Sequence, residues 1–204
     1  MSKTFFLFLR KIYKMKLSIL IPSVFERYEL LKKLTDEMNK QINGNPESKQ
    51  VEIVVLLENR RRTIGHKRND LLELSKGDYV VFVDDDDRIS DDFVKELLLA
   101  TKNNFDCIVY DVSVSINGGN PKICKYGKEY QHSEDTNYYY RKPNPRMCYK
   151  REVAIKHKFK DMSFYEDDEW AERSTPSIQS QYRINKVLYM YDFFNKPAGW
   201  YFDS

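Results

Sequence analysis

The sequence has little cysteine: Cys107, Cys124 and Cys148 are the only three in 204 residues. An odd number without C-x-x-C spacing argues against a disulfide framework or a zinc site. Cys107 lies in the apolar run CIVY, the setting of a small buried hydrophobe, and a cytoplasmic address is the expectation. Charge of one sign is not in excess either, since 34 basic against 31 acidic residues leave +3. That balance gives no strong nucleic-acid signal, because such binders concentrate a basic surplus. The clusters Lys11 to Lys16 and Arg60 to Arg62 read as solvated faces. Long hydrophobic runs are missing as well. The stretch Phe5 to Leu9 is too short to span a bilayer, and it lacks the longer apolar core and cleavage site of a signal peptide. There is no internal repeat, low-complexity segment or linker.

What remains is a chain that is 41% hydrophobic and 32% charged, enough for one soluble domain with a real core. Residues 1–15 read as an extension outside that core, Met15 standing one residue before the first strand. Peripheral membrane contact through this extension is the weaker reading of its apolar and basic residues. The domain itself is expected to cover 16–204.

Strand and helix patterns alternate through its first half. KLSILI (Lys16 to Ile21) is a continuous apolar run ended by Pro22, fit for a strand covered on both faces. RYELLKKLTDEMNKQI places Leu30, Leu31, Leu34 and Met38 on a helical stripe. VEIVVLLE (Val51 to Glu58) is the second strand, and TIGHKRNDLLELSKG a loop entering a helix with Gly77 as its stop. DYVVFVD is the third strand, and SDDFVKELLLATK a helix opened by a Ser cap. This alternation predicts an α/β fold with βαβ units and a mostly parallel central sheet flanked by helices. The second half is more irregular. It shows two strands about the turn NGGN, the tyrosines Tyr138 to Tyr140, a short helix from YEDDEW and a late strand in SQYRINKVLYMYDF.

The run YVVFVDDDDRIS poses the functional question. Adjacent carboxylates repel one another unless a cation or donor is close. An acidic run by itself is an exposed turn. Here it follows an apolar parallel strand, and open parallel sheets bind ligands beyond the carboxyl ends of their strands.

With LSILIPSVFERYELLKKL before it and YEDDEW after it, the block GHKRNDLLELSKGDYVVFVDDDD resembles the Asp-x-Asp region of family 2 glycosyltransferases. These have the GT-A (nucleotide-diphospho-sugar transferase) fold. The resemblance covers roughly 16–173 and is loose over 118–160. It implies a nucleotide-sugar half, about 16–117, and an acceptor half, about 118–204. The implied activity is metal-dependent, inverting transfer of one sugar, from a UDP-sugar, to a glycan, glycoprotein or other hydroxyl acceptor. A divalent cation, Mn²⁺ or Mg²⁺, would stabilise the leaving diphosphate.

Residue by residue, Asp86 matches the metal ligand and Asp87 a further ligand or a cap. Asp84 and Asp85 fall near the ribose or the metal's waters, although four identical residues have no internal register. Pro22, Ser23 and Glu26 match the loop that meets the nucleotide. For Pro22 alone a strand terminator is the better explanation, and for Glu26 a helix-start acid is the alternative. Glu58 matches an acid that reads the uracil. Gly65 would permit close approach, and Lys67 and Arg68 would reach the diphosphate. Asp167 matches the base that takes the acceptor's proton, with Asp168 as the near alternative and Trp170 as an acceptor-contacting ring. Two departures stand out: no Q-x-x-R-W stretch of the processive relatives, and no histidine after His157 to complete a metal site. A nucleotidyltransferase would need a Gly-rich phosphate loop where PSVFERYELL stands. A non-catalytic nucleotide or glycan-binding module, and a sugar transferase acting on modified DNA bases, stay as alternatives.

Overall fold

The computed structural model describes residues 14–194, so the expected N-terminal extension and any membrane contact it makes lie almost wholly outside the described residues. β1 (Leu17–Val24) is central, pairing in parallel with β2 (Val51–Glu58) on one side and β3 (Tyr79–Phe82) on the other. Burial on both faces accounts for its unbroken apolar run. The strand continues through Pro22, contrary to the expected stop. Pro22 sits opposite Leu56, whereas the β1–β3 ladder ends at Leu20 and Phe82. By the alternation of the ladder its ring nitrogen faces the β3 side, beyond the last pair, so no sheet hydrogen bond is lost.

The helices cover this sheet. α1 (Tyr28–Asn43) buries Leu31, Leu34 and Met38, while Leu30, expected on the same stripe, is exposed. α2 (Ile64–Leu74) ends before Gly77, which is no helix stop. A Cβ at Gly77 would lie 2.6 Å from the Ser18 nitrogen, so the residue is a glycine because β1 passes against it. After the short β4 (Arg88–Ile89), α3 (Phe93–Thr101) begins three residues later than its expected Ser cap. The Ser90 hydroxyl bonds Asp92 instead. Gln41 of α1 caps the helix: its Oε1 accepts from Val94 N–H at 3.1 Å and its Nε2 donates to the Ser90 carbonyl at 2.9 Å.

The second half completes a 10-stranded sheet. β5 (Cys107–Ile116) and β6 (Lys122–Tyr126) form the expected hairpin, with Asn117 and Gly118 at positive φ. β7 (Ser133–Glu134) and β8 (Tyr138–Arg141) follow, then β9 (Cys148–Lys150), α4 (Arg151–Ala154), α5 (Glu166–Ser174) and β10 (Gln181–Phe193). β9 lies antiparallel between β3 and β5 and so joins the β2–β1–β3 part to the parallel β5–β10 pair. The three cysteines are buried and free. No helix among the described residues is long and apolar enough to cross a membrane.

Asp106 ties the start of β5 to the segment entering β10. Its carboxylate accepts from the Gln179 and Ser180 amides at 2.9 and 3.0 Å and pairs with Lys150 at 3.3 Å. Burial opposes ionisation, but these donors outweigh it and hold the Asp106 carboxyl below the usual aspartate range. Asp106→Ala is expected to cost about 1 kcal/mol in urea unfolding at neutral pH by leaving the amides unpaired. A depressed native pKa gives stability that is present above the unfolded value, about 4, and is lost as pH falls through the native one. The gap between wild type and variant should therefore close below pH 4.

Candidate active site

The four aspartates leave the carboxyl end of β3, and each has at least one partner from the chain itself. Asp84 bridges two arginines, with Arg68 Nη2 donating to Oδ1 at 2.9 Å and Arg146 Nη2 to Oδ2 at 3.3 Å. Burial alone would raise its pKa, but the two guanidiniums outweigh burial and lower it. Asp85 is buried and accepts from the Ser23 hydroxyl at 2.6 Å and Arg27 Nη1 at 2.8 Å. Asp86 is half exposed, with Oδ2 2.9 Å from Arg27 Nη1. Asp87 turns inward to accept from the Tyr189 hydroxyl at 2.6 Å. Burial, reinforced by Asp84 and Asp86 and only partly offset by Arg146 and Tyr189, pushes the Asp87 carboxyl up to about 8. The repulsion within the run is thus relieved by arginines of the chain itself.

The same arginines reach α5. Arg68 donates from Nε to Glu166 Oε1 at 3.3 Å, and its guanidinium lies 4.9 Å from the Phe82 ring centroid. Arg146 donates from Nη1 to Asp167 Oδ2 at 3.2 Å. The structure therefore brings Asp84, Asp85, Asp86 and Asp87 together with Ser23, Arg68 and Asp167. Asp168 is adjacent and exposed, its own N–H bonded to Asp167 Oδ1. α5 is entered through Tyr165 at φ 61° and ψ 13°. For a residue other than glycine this left-handed backbone costs about 1–3 kcal/mol.

Other expected site residues are placed differently. Lys67 is buried against Glu58, Nζ to Oε1 2.7 Å, rather than open to a ligand. Burial would raise the Glu58 carboxyl, but Lys67 and the Arg61 amide hold it low. Glu26 is exposed and pairs with Arg60 at 3.5 Å. Gly65 does permit a close approach, but to the chain. A Cβ there would lie 1.9 Å from the Lys160 carbonyl oxygen, and Gly65 N–H donates to the Met162 carbonyl at 3.0 Å. Gly65→Ala is expected to overpack this contact and cost about 1–3 kcal/mol, read from the urea midpoint. Trp170 is not an acceptor-contacting ring: it is buried, stacked on Phe159 at 5.1 Å, with Nε1 bonded to the His157 carbonyl.

Two site residues escaped sequence reasoning. Arg146 lies in KPNPRMCYK, a stretch without periodicity. It reaches the site because the Pro145 carbonyl accepts from Phe82 N–H at 3.1 Å, docking that loop beside the strand that bears the aspartates. Tyr189, within the expected late strand, is buried and also touches the aspartates, since its hydroxyl accepts from Asp84 N–H at 3.1 Å.

A divalent cation fits this donor set only in one way. Among the described residues no group of three or more His, Cys, Asp or Glu is placed to hold a metal ion. Mg²⁺ often takes one or two carboxylates and completes its shell with water and substrate phosphate. Half-exposed Asp86 can serve so, whereas Asp87, spent on Tyr189, is a poor second ligand.

A parallel sheet that delivers acidic residues to a strand end, opposite a carboxylate at a helix start, defines a GT-A sugar-nucleotide transferase fold. Residues 34–163 match the profile of Glycosyl transferase family 2, and the chain belongs to that family. No curated protein sequence matches the chain. Among solved structures, S. aureus TarS 1–349 superposes with a TM-score of 0.58 at 15% identity, covering 87% of this chain and 60% of that one. The same TarS 1–349 in complex with UDP-GlcNAc gives 0.57 at 13%, covering 89% and 60%. TarS itself gives 0.58 at 14%, covering 87% of this chain and 37% of that one. At these identities the likeness shows the fold, and this chain spans about three-fifths of TarS 1–349.

Proposed function

We propose that the protein transfers one sugar from a nucleotide sugar, a UDP-sugar, to an acceptor hydroxyl, with inversion and with a divalent cation. The observation that carries this reading is the connected set Asp84–Arg146–Asp167, which links the donor end of β3 to a carboxylate at the start of α5. The UDP-GlcNAc complex of TarS, a protein of the same fold, supports a uridine donor.

Asp167 is the base. An acceptor hydroxyl attacks well only as its proton leaves, and a carboxylate opposite the departing diphosphate can take it. Asp85 is fixed by Ser23 and Arg27, which supports a role as acceptor for the donor's ribose hydroxyls. Glu58, pinned by Lys67, serves as the acceptor for the uracil N3–H. Arg68 keeps one buried donor, Nη1, without a hydrogen-bond partner among the described residues, and its charge beside Asp84 supports a role in offsetting the diphosphate. When bound, Mg²⁺ or Mn²⁺ held by Asp86 and the donor's phosphates would neutralise charge on the leaving group. The buried, free cysteines support a reducing, cytoplasmic setting.

Hydrolysis of UDP-, GDP- and dTDP-sugars, with Mn²⁺ or with chelator, tests the reading. One UDP-sugar should turn over, chelator should stop it, and Asp86→Ala should lower the rate by about 100-fold. Donor binding without turnover would make the chain a non-catalytic module. Full metal-dependent activity in Asp86→Ala would remove the assigned ligand.

A further inference from the structure

Among the described residues, four other than glycine hold a positive φ: Arg60, Asn104, Asn117 and Tyr165. Asparagine adopts this backbone readily, and Asn104 and Asn117 sit in turns after α3 and β5. Arg60 is exposed and paired with Glu26. Tyr165 is the aromatic exception. Its side chain is 74% exposed and makes no hydrogen bond or ring contact with any described residue. A large apolar ring has therefore been placed in a strained position where it adds nothing to the core. Glycine or asparagine there would meet the demands of the fold better. Strain that packing does not repay points to something outside the chain.

The position says what that is. Tyr165 stands two residues before Asp167, whose carboxylate faces Arg146 and, through it, the donor aspartates. Phe164, beside it, is 52% exposed. An acceptor attacks opposite the leaving diphosphate and so must approach Asp167, and exposed Tyr165 stands at the same amino end of α5. We infer that Tyr165 forms an acceptor subsite in which the C–H face of a sugar ring stacks on the phenol ring. The inference rests on the transferase reading and deepens it: the acceptor is a glycan that presents a pyranose ring next to the attacked hydroxyl, not a simple alcohol. The ring supplies the contact by its flat apolar face, so the phenol oxygen is dispensable.

The test lets methyl β-D-glucopyranoside and glycerol compete for the sugar of the UDP-sugar that the full chain turns over. Their product ratio divides out any general loss of turnover. Wild type should favour the pyranoside, Tyr165→Phe and Tyr165→Trp should keep that preference, and Tyr165→Gly should lower it by about 10-fold. The melting temperature of Tyr165→Gly should hold or rise as the backbone relaxes. Saturation-transfer NMR of the pyranoside, which needs no turnover, should show contact in wild type and lose it in Tyr165→Gly. An unchanged ratio, an absent NMR contact in wild type, or a fall in melting temperature in Tyr165→Gly would each overturn the subsite. No turnover of any nucleotide sugar alongside a Tyr165-dependent NMR contact would instead sink the transferase reading and leave the subsite standing.

Discussion

Asp167→Asn should abolish sugar transfer while leaving UDP affinity within about twofold, with a rate loss on the order of 10²–10⁴. Asparagine preserves the shape of the side chain, and its amide oxygen can still accept the 3.2 Å hydrogen bond from Arg146. What it cannot do is take a proton from a hydroxyl. The loss should therefore appear in kcat, since on the proposed reading the donor is held by other residues, among them Ser23, Glu58, Asp85 and Asp86. Asp168→Asn is the control, because Asp168 is exposed and, among the described residues, its carboxylate forms no salt bridge with an arginine. A larger loss in Asp168→Asn than in Asp167→Asn would exchange the two roles.

The second large effect concerns stability. Arg146 contacts Asp84 at 3.3 Å, Asp167 at 3.2 Å and Asp87 at 3.9 Å, and its guanidinium lies 4.6 Å from the Tyr191 ring centroid. Only 12% of its side chain is accessible. Arg146→Met keeps an apolar stem of similar reach but strands carboxylates that water cannot fully solvate. Removing one partner of a buried ionic cluster costs about 3–5 kcal/mol. For a chain of this size the melting temperature should fall by roughly 10 °C. Arg146→Lys restores the charge but not the planar fork that serves Asp84 and Asp167 together, and should recover part of the loss. A melting temperature for Arg146→Met within a degree of wild type would show that the aspartates find other cations.

The first half was legible because its signals are local. β2 runs over the expected Val51–Glu58, since an apolar run bounded by polar loops needs no distant partner to be recognised. The aspartates at the end of β3 and the carboxylates at the start of α5 were readable for the same reason. What could not be read arises between distant segments. The cap of α3 comes from Gln41, 53 residues away from the amide it bonds. Gly65 answers to the backbone of Lys160 and Gly77 to that of Ser18, contacts with no trace in the neighbouring sequence. Trp170 misled because its place beside an acidic pair suggests a ligand contact, while the packing of Phe159 and Tyr149 draws it into the core. Arg146 had no pattern to announce it, being positioned by β9 wedged between β3 and β5.

Tyr189 has a consequence for the order in which the protein matures. Its hydroxyl bonds a carboxylate 102 residues earlier in the chain, and it rides on β10, the last strand among the described residues. β1, β2 and β3 can pair as soon as they emerge, because their connections are short by comparison. The aspartates must then wait, charged and only partly partnered, until the 102 residues that separate Asp87 from Tyr189 have been added. A nascent chain halted before β10 should bind UDP poorly even though its nucleotide-facing strands are already in place. Binding competence thus arrives late and all at once.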